Sequence, residues 1–194
     1  MAPSKEEKKQ ALLEAARRLL ERYGPLKITM EDVASSCGMA VSSLYYYFPG
    51  KADLLLEVAR ADIDETLQAI ESGVSNARGA VKRLQAMSRA VFSMLRSISR
   101  FRGMTHSERL TVLAKVKQEV ERFKEKLRRI IRRILEQGVQ EGVFEVQNPE
   151  LVARVFAAGI RGMVETVLDG EFGVEEFDAI EQMNMLLLDG LKKR

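Results

Sequence analysis

Along this chain apolar residues recur at three- and four-residue intervals, the rhythm of helices that each bury one stripe. Ala11, Leu12, Ala15, Ala16, Leu19 and Leu20 form the first stripe, with Ser4 and Glu7 spaced as a capping pair before it and Gly24-Pro25 as a stop after it. The pattern predicts a helix over about 4–23. Thr29 with Asp32 repeats the capping signature and opens a short helix whose apolar side is Met30, Val33 and Ala34, closed by Gly38. A third helix is expected from Ala40 through Leu44 to Phe48, where Pro49-Gly50 breaks it. Two short helices joined by a Gly-containing turn are a helix-turn-helix arrangement.

The later stripes are longer. Leu54, Leu55, Val58, Ala59, Ile63 and Leu67 predict a helix from Lys51 to about Ser72-Gly73. Val81, Leu84, Met87, Val91, Met94, Leu95 and Ile98 predict the next, from about Ala77 to Ser99, and Phe101 to Ser107 reads as a connector. From about Glu108 to Gln140 the line Val116, Val120, Phe123, Leu127, Ile130, Ile131, Ile134 and Leu135 keeps the helical period. Asn148-Pro149 is a start signal for a helix ending at Leu168 before Gly170, and a last helix is expected from about Val174 to Leu191. Few β-branched runs, four prolines and no tryptophan complete an all-α reading.

Composition narrows the function. With 46% hydrophobic and 30% charged residues the 194-residue chain can bury a core, and it holds no apolar run of the roughly 20 residues that span a bilayer. Its first thirty residues are charged rather than signal-like, so a cytoplasmic protein is expected. One cysteine and one histidine supply neither a disulfide nor a zinc site, so no metal and no cofactor are expected. Cys37 reads as a small buried residue in a turn. With no Gly-rich phosphate loop, no G-x-S-x-G and His106 alone in a connector, no catalytic residues are expected either. A net charge of +3 does not by itself announce a nucleic-acid partner, so charge placement has to carry that case.

The stretch LYYYF raises the central question, because successive helical residues lie about 100° apart and Tyr45, Tyr46 and Tyr47 cannot all face one interior. If Leu44 and Phe48 define the buried line, then Val41, Ser42, Tyr45 and Tyr46 fall on the opposite half and Tyr47 at its edge. Exposed aromatics can simply pack on a neighbouring helix. A capped helix and a turn before them are, however, what presents a helix to a DNA major groove. Tyr hydroxyls can reach phosphates, and Val41 or a Tyr ring can touch a thymine methyl. Lys51, at the positive end of the following helix, is placed to hold a phosphate.

From Ala11 to Val58, about a quarter of the chain, a helix ending in YG and then TMEDVASSCGMAVSSLYYYFPGKADLLLEV resembles the DNA-binding domain of the TetR family of bacterial transcriptional repressors. The resemblance implies an all-helical protein of about nine helices, with a DNA-binding domain over 1–50 and a ligand-binding and dimerisation domain over 51–194. It implies that Val41, Ser42 and Tyr45 read bases, that Thr29, Tyr46, Tyr47 and Lys51 touch the backbone, and that Ser43 belongs to the same DNA-facing set. The sequence departs from the pattern where Ala40 replaces the usual capping Ser and Val41 replaces a frequent Lys or Arg. The first change weakens the helix end by about 1 kcal/mol, and the second shifts base preference toward apolar contact.

The remaining candidates are weaker as signals. Lys124, Lys126, Arg128, Arg129, Arg132 and Arg133 have Glu119, Glu121, Glu125 and Glu136 in helical reach, which reads as a solvated, salt-bridged face rather than a second nucleic-acid surface. Met87, Phe92, Met94, Phe101, Met104, Phe123, Phe156 and Met163 are candidates to line an adaptable apolar pocket, although such residues also make ordinary core. No conspicuous acid stands in these apolar faces, which favours a neutral or lipophilic small-molecule effector over a cation. Phe156, Ile160, Met163, Val164, Val167, Met183 and Leu187 are candidates for a homodimer interface, with internal packing as the other reading. Family resemblance implies that two protomers join their last two helices, bind a pseudo-palindromic operator in double-stranded DNA, and release it when an effector moves the helix that begins at Lys51. The rival reading is a helical interaction protein that kept the motif and lost specific DNA binding.

Overall fold

The computed structural model describes residues 4–170, 179, 182 and 189–191. Its helices are α1 (Lys5–Tyr23), α2 (Met30–Ser36), α3 (Val41–Tyr47), α4 (Lys51–Asn76), α5 (Ala80–Ile98), α6 (His106–Gln140) and α7 (Pro149–Asp169), with a 3₁₀ turn at Ser99–Phe101. The all-α class agrees with the sequence. The count differs: seven α-helices stand among the described residues where about nine were expected for the chain, and most of the helix expected over 174–191 falls outside those residues.

Two compact units divide the chain, Met1–Asp62 with Arg100–Gln118, and Ile63–Ser99 with Glu119–Arg194. In the first unit α2 packs on α1 and α3 on α2. Leu12, Ala16 and Leu20 of α1, Val33 and Ala34 of α2, and Leu44 and Phe48 around α3 are almost wholly buried there. Both expected capping boxes are present, Ser4 with Glu7 and Thr29 with Asp32, and they fix where α1 and α2 begin. Between α2 and α3, Gly38 adopts φ 63°, a left-handed conformation that side chains disfavour, and the amide of Met39 returns to the carbonyl of Ala34. That tight turn sets the angle at which α3 leaves α2.

The second unit is built on Leu84, Met87, Val91 and Leu95 of α5 against Leu127, Ile131, Ile134 and Leu135 of α6, with Ala153 and Val167 of α7. Helix α4 continues past Gly73, where the sequence predicted its end, to Asn76. Gly73 therefore lies inside α4 instead of stopping it, and a Cβ there would make only ordinary van der Waals contact with the Ala86 Cβ at 3.4 Å. Helix α5 begins at Ala80, three residues later than expected, and Gly79 offers no side-chain cap. Glu141, from the end of α6, supplies one by accepting from the Ala80 amide at 2.9 Å. Just before it, Gly138 gives way to Phe144, whose ring lies where a Cβ would be (1.9 Å).

Candidate nucleic-acid interface

Helix α3 is only seven residues long and has no side-chain cap at Ala40, as the sequence implied. Its position comes from burial rather than from helix propensity. Leu44 and Phe48 anchor it at 0% and 1% exposure, and this forces the opposite face outward. Tyr45 is 47% and Tyr46 70% exposed, Ser42 is exposed, and Val41, Ser43 and Tyr47 are half-buried at the edges. The division of the three tyrosines drawn from the helical wheel is the one observed. The Tyr46 and Tyr47 rings meet edge to face, 5.3 Å between centroids, which braces exposed Tyr46 against its half-buried neighbour.

One neighbour of Tyr46 was not legible in the sequence. Lys5, at the first turn of α1, places Nζ 4.9 Å from the Tyr46 ring centroid and donates to the hydroxyl at 3.3 Å. Helix α3 carries no charged residue, so Lys5 brings a cation to its exposed face from 41 residues away. No local pattern links the two positions; only the packing of α1, α2 and α3 does.

Two expected backbone contacts look different once their partners are seen. The Thr29 hydroxyl donates to Asp32 Oδ2 at 2.8 Å and accepts from the Asp32 amide at 3.1 Å. A hydroxyl has one proton, so a phosphate, which offers only acceptors, has to displace the Asp32 carboxylate to be bound by Thr29. The Thr29 hydroxyl and amide together hold the Asp32 carboxyl below its ordinary 3.8, which keeps a negative charge at the start of α2. Lys51 stands at the first position of α4 as expected, but its ammonium faces Glu108 Oε1 at 3.5 Å. Two positions along, Asp53 pairs with Lys115 at 2.8 Å.

The first unit also holds a buried ionic cluster. Asp62 of α4, 9% exposed, meets Arg17 of α1 at 2.9 Å and Arg100 of the 3₁₀ turn at 3.6 Å, and Arg100 also reaches Glu21 at 3.0 Å. The spacing of apolar residues along the chain marks no buried acid. Asp62 is one, missed because its spacing alone does not distinguish it from a surface position, and the two guanidiniums around it are its compensation.

The other candidate residues fall as follows. Met87, Met94 and Phe123 are buried in the core of the second unit, with Phe92, Phe156 and Met163 partly buried against it. Phe101 and Met104 belong to the first unit. On α7, Phe156, Ile160, Met163 and Val164 turn toward that same core and Val167 is fully buried. Val167, a candidate for the dimer interface, thus has its side chain already covered within the second unit. The outward line of α7 instead carries Leu151 (52% exposed), Val155 (64% exposed), Ala158 and Gly159. Met183 and Leu187 lie outside the described residues. Cys37, expected to be buried, is half-exposed, its Sγ 3.6 Å from the Ala11 carbonyl.

The basic run of α6 is a paired surface. Lys124 pairs with Glu121, Arg128 with Glu125, and Arg132 with Glu136, while Glu71 of α4 and Glu150 of α7 add partners for Lys126 and Arg128 that the helical spacing did not reveal.

No helix among the described residues is long and apolar enough to cross a membrane. Residues 12–58 match the family described as bacterial regulatory proteins, tetR family, and residues 80–180 match the tetracyclin repressor-like C-terminal domain. The chain is 30% identical over 80 residues to the HTH-type transcriptional regulator BetI of Agrobacterium fabrum, which covers 41% of this chain and 39% of that protein. It is 35% identical over 75 residues to the HTH-type transcriptional regulator EthR of Mycolicibacterium smegmatis, covering 39% of this chain and 33% of that protein. The matched stretch thus spans well under half the length of either relative. In fold, the chain is similar to a transcriptional regulator from Cytophaga hutchinsonii, with a TM-score of 0.75, 22% identity, and 95% of this chain and 98% of that one covered.

Proposed function

The chain belongs to the tetR family of bacterial regulatory proteins, and on that premise we propose that it is a ligand-responsive transcriptional regulator, most simply a repressor, that binds a pseudo-palindromic operator in double-stranded DNA as a homodimer. The observation that carries the reading is the α3 face. A short helix pinned by Leu44 and Phe48 holds Ser42, Tyr45 and Tyr46 outward, with a lysine from α1 beside the tyrosine hydroxyl. Val41, Ser42 and Tyr45 read base edges by apolar and hydroxyl contact, with Ser43 beside them, and Tyr46, Tyr47 and Lys51 take the phosphates. Thr29 contributes only if Asp32 releases its hydroxyl.

Two such helices about 34 Å apart enter successive major grooves, which requires two protomers. The outward line of α7 through Leu151 and Val155 supports their pairing, because large apolar side chains left in water favour a partner. The protein acts in the cytoplasm, where DNA is reached without crossing a membrane. Its effector is a neutral or lipophilic small molecule, a reading supported by the Met- and Phe-rich second unit and by the neutralisation of Asp62 within the first. No enzymatic step is proposed.

Selection of a randomised duplex library with the full chain tests this, followed by salt titration of the winning duplex. A preferred sequence with two half-sites about one helical turn apart is expected, and Val41→Ala should change the order of preference among related duplexes. A helical interaction protein without specific DNA binding is the second reading, favoured by the uncharged α3 face and the pairing of Lys51 with Glu108. It prevails if no sequence is enriched at moderate salt.

A further inference from the structure

Helix α6 opens with a side chain that serves two groups at once. Glu108 Oε2 accepts from the Thr105 amide at 3.0 Å and from its hydroxyl at 2.8 Å, and the Glu108 amide donates back to the Thr105 hydroxyl at 3.2 Å. This reciprocal cap fixes the carboxylate in space whatever else it touches. Its second oxygen, Oε1, points at Lys51 Nζ at 3.5 Å. The pair is long for an ion pair, and both side chains keep some solvent contact, 26% for Lys51 and 21% for Glu108. One turn-pair further along α6, Lys115 holds Asp53 at 2.8 Å. The first turn of α4 is thereby crossed by opposite charges, Lys51 with Glu108 and Asp53 with Lys115. The site where a phosphate would land is electrically balanced before any DNA arrives.

Resting on the DNA-binding reading above, we propose that Glu108 is a built-in rival of the DNA phosphate for Lys51, a positioning residue that lowers affinity and salt sensitivity by holding the ammonium until phosphate displaces it. The capping bonds to Thr105 do not depend on Lys51, so the carboxylate stays where it is when the lysine leaves. Replacing that carboxylate by an amide keeps the cap, since Gln serves at the same position of a capping box, and removes the rival charge. Competition of this kind has a signature that simple structural support lacks, because a lysine already neutralised from within releases no counterion when it meets DNA.

The experiment compares the full-length wild type, Glu108→Gln, Lys51→Ala and the double variant on the duplex selected by the wild type and on a random duplex, across a salt series. Glu108→Gln should bind the selected duplex about two- to fivefold more tightly, the range of a partly exposed ion pair. Its dependence of log K on log salt should steepen by about 0.9 per protomer. Neither change should appear when Lys51 is already Ala. Should Glu108→Gln not fold, Glu108→Asp, which retracts the carboxylate while leaving it able to cap, should show a smaller gain of the same sign. Unchanged affinity and slope in Glu108→Gln, while Lys51→Ala weakens binding, would overturn the proposal and leave the DNA reading intact. An equal gain in the Lys51→Ala background would overturn it too, by showing that Glu108 acts on DNA directly. If no duplex is selected and all four proteins bind the random duplex alike, the DNA reading fails and takes the proposal with it.

Discussion

Lys5 Nζ donates to the Tyr46 hydroxyl at 3.3 Å while lying 4.9 Å from the centre of the same ring, so α1 delivers a cation to the one strongly exposed aromatic of α3. The contact gives Tyr46 a partner that pre-orients its hydroxyl and places positive charge where the helix has none. Lys5→Ala should weaken binding to every duplex by a similar factor, about three- to tenfold, and reduce the salt slope by about 0.9 per protomer. Tyr46→Phe should produce a uniform loss without the change in slope. Salt-dependent fluorescence anisotropy on two unrelated duplexes separates these outcomes; a loss confined to one sequence would contradict the phosphate role.

Ala40 leaves the start of α3 without a side-chain acceptor. Ala40→Ser should therefore stabilise the protein, by about 1 kcal/mol, through a new cap on the first turn. Urea denaturation measures the shift. No gain would mean that burial of Leu44 and Phe48 already fixes the turn completely.

Asp62 is the carboxylate that Arg17 and Arg100 share inside the first unit. Asp62→Ala leaves two buried guanidiniums without it and should cost about 3–5 kcal/mol. The denaturation midpoint should drop accordingly, whereas Glu21→Ala, at a mostly exposed carboxylate, should cost far less.

Gly138 and Phe144 occupy each other's space. Gly138→Ala would gain helix propensity of about 1 kcal/mol but push a methyl into the Phe144 ring, and the net result should be a loss of about 1–3 kcal/mol. Combining it with Phe144→Leu should recover part of that loss, which a double-mutant cycle in urea would read.

Acid should unfold the protein through its capping and paired carboxylates. Burial by itself would push the Glu108 carboxyl up, but the amide and hydroxyl of Thr105 and the charge of Lys51 outweigh it and hold the group below its ordinary 4.5. Glu141 is lowered first by the Ala80 amide and then by Gln137, and Glu57, despite its burial, by Lys9 and Arg60. Groups lowered in the folded state leave the unfolded chain binding more protons, so their contribution is complete above about 4.5 and lost as pH falls through the folded-state values. Urea midpoints should be flat above that pH and decline below it. Glu108→Gln should flatten the decline, and an unaltered curve would show that the carboxylate is not linked to folding.

Helices and their ends are legible in the sequence wherever the cause is local. Ser4 with Glu7, Thr29 with Asp32, and Asn148-Pro149 mark starts because capping acts within one turn, and Leu44 with Phe48 fixed the outward turn of Tyr45 and Tyr46 because a short helix has one way to bury both. Local pattern failed at Gly73, which reads as a stop and lies inside α4, and at α7, where one apolar stripe has two possible uses and only tertiary packing buries Val167 in the core. Lys5 beside Tyr46, Asp62 between two arginines, and Glu108 before Lys51 were decided by tertiary structure alone. A charge finds its partner through space, and separations of 38 to 57 residues in the chain carry no periodic signal of who that partner is.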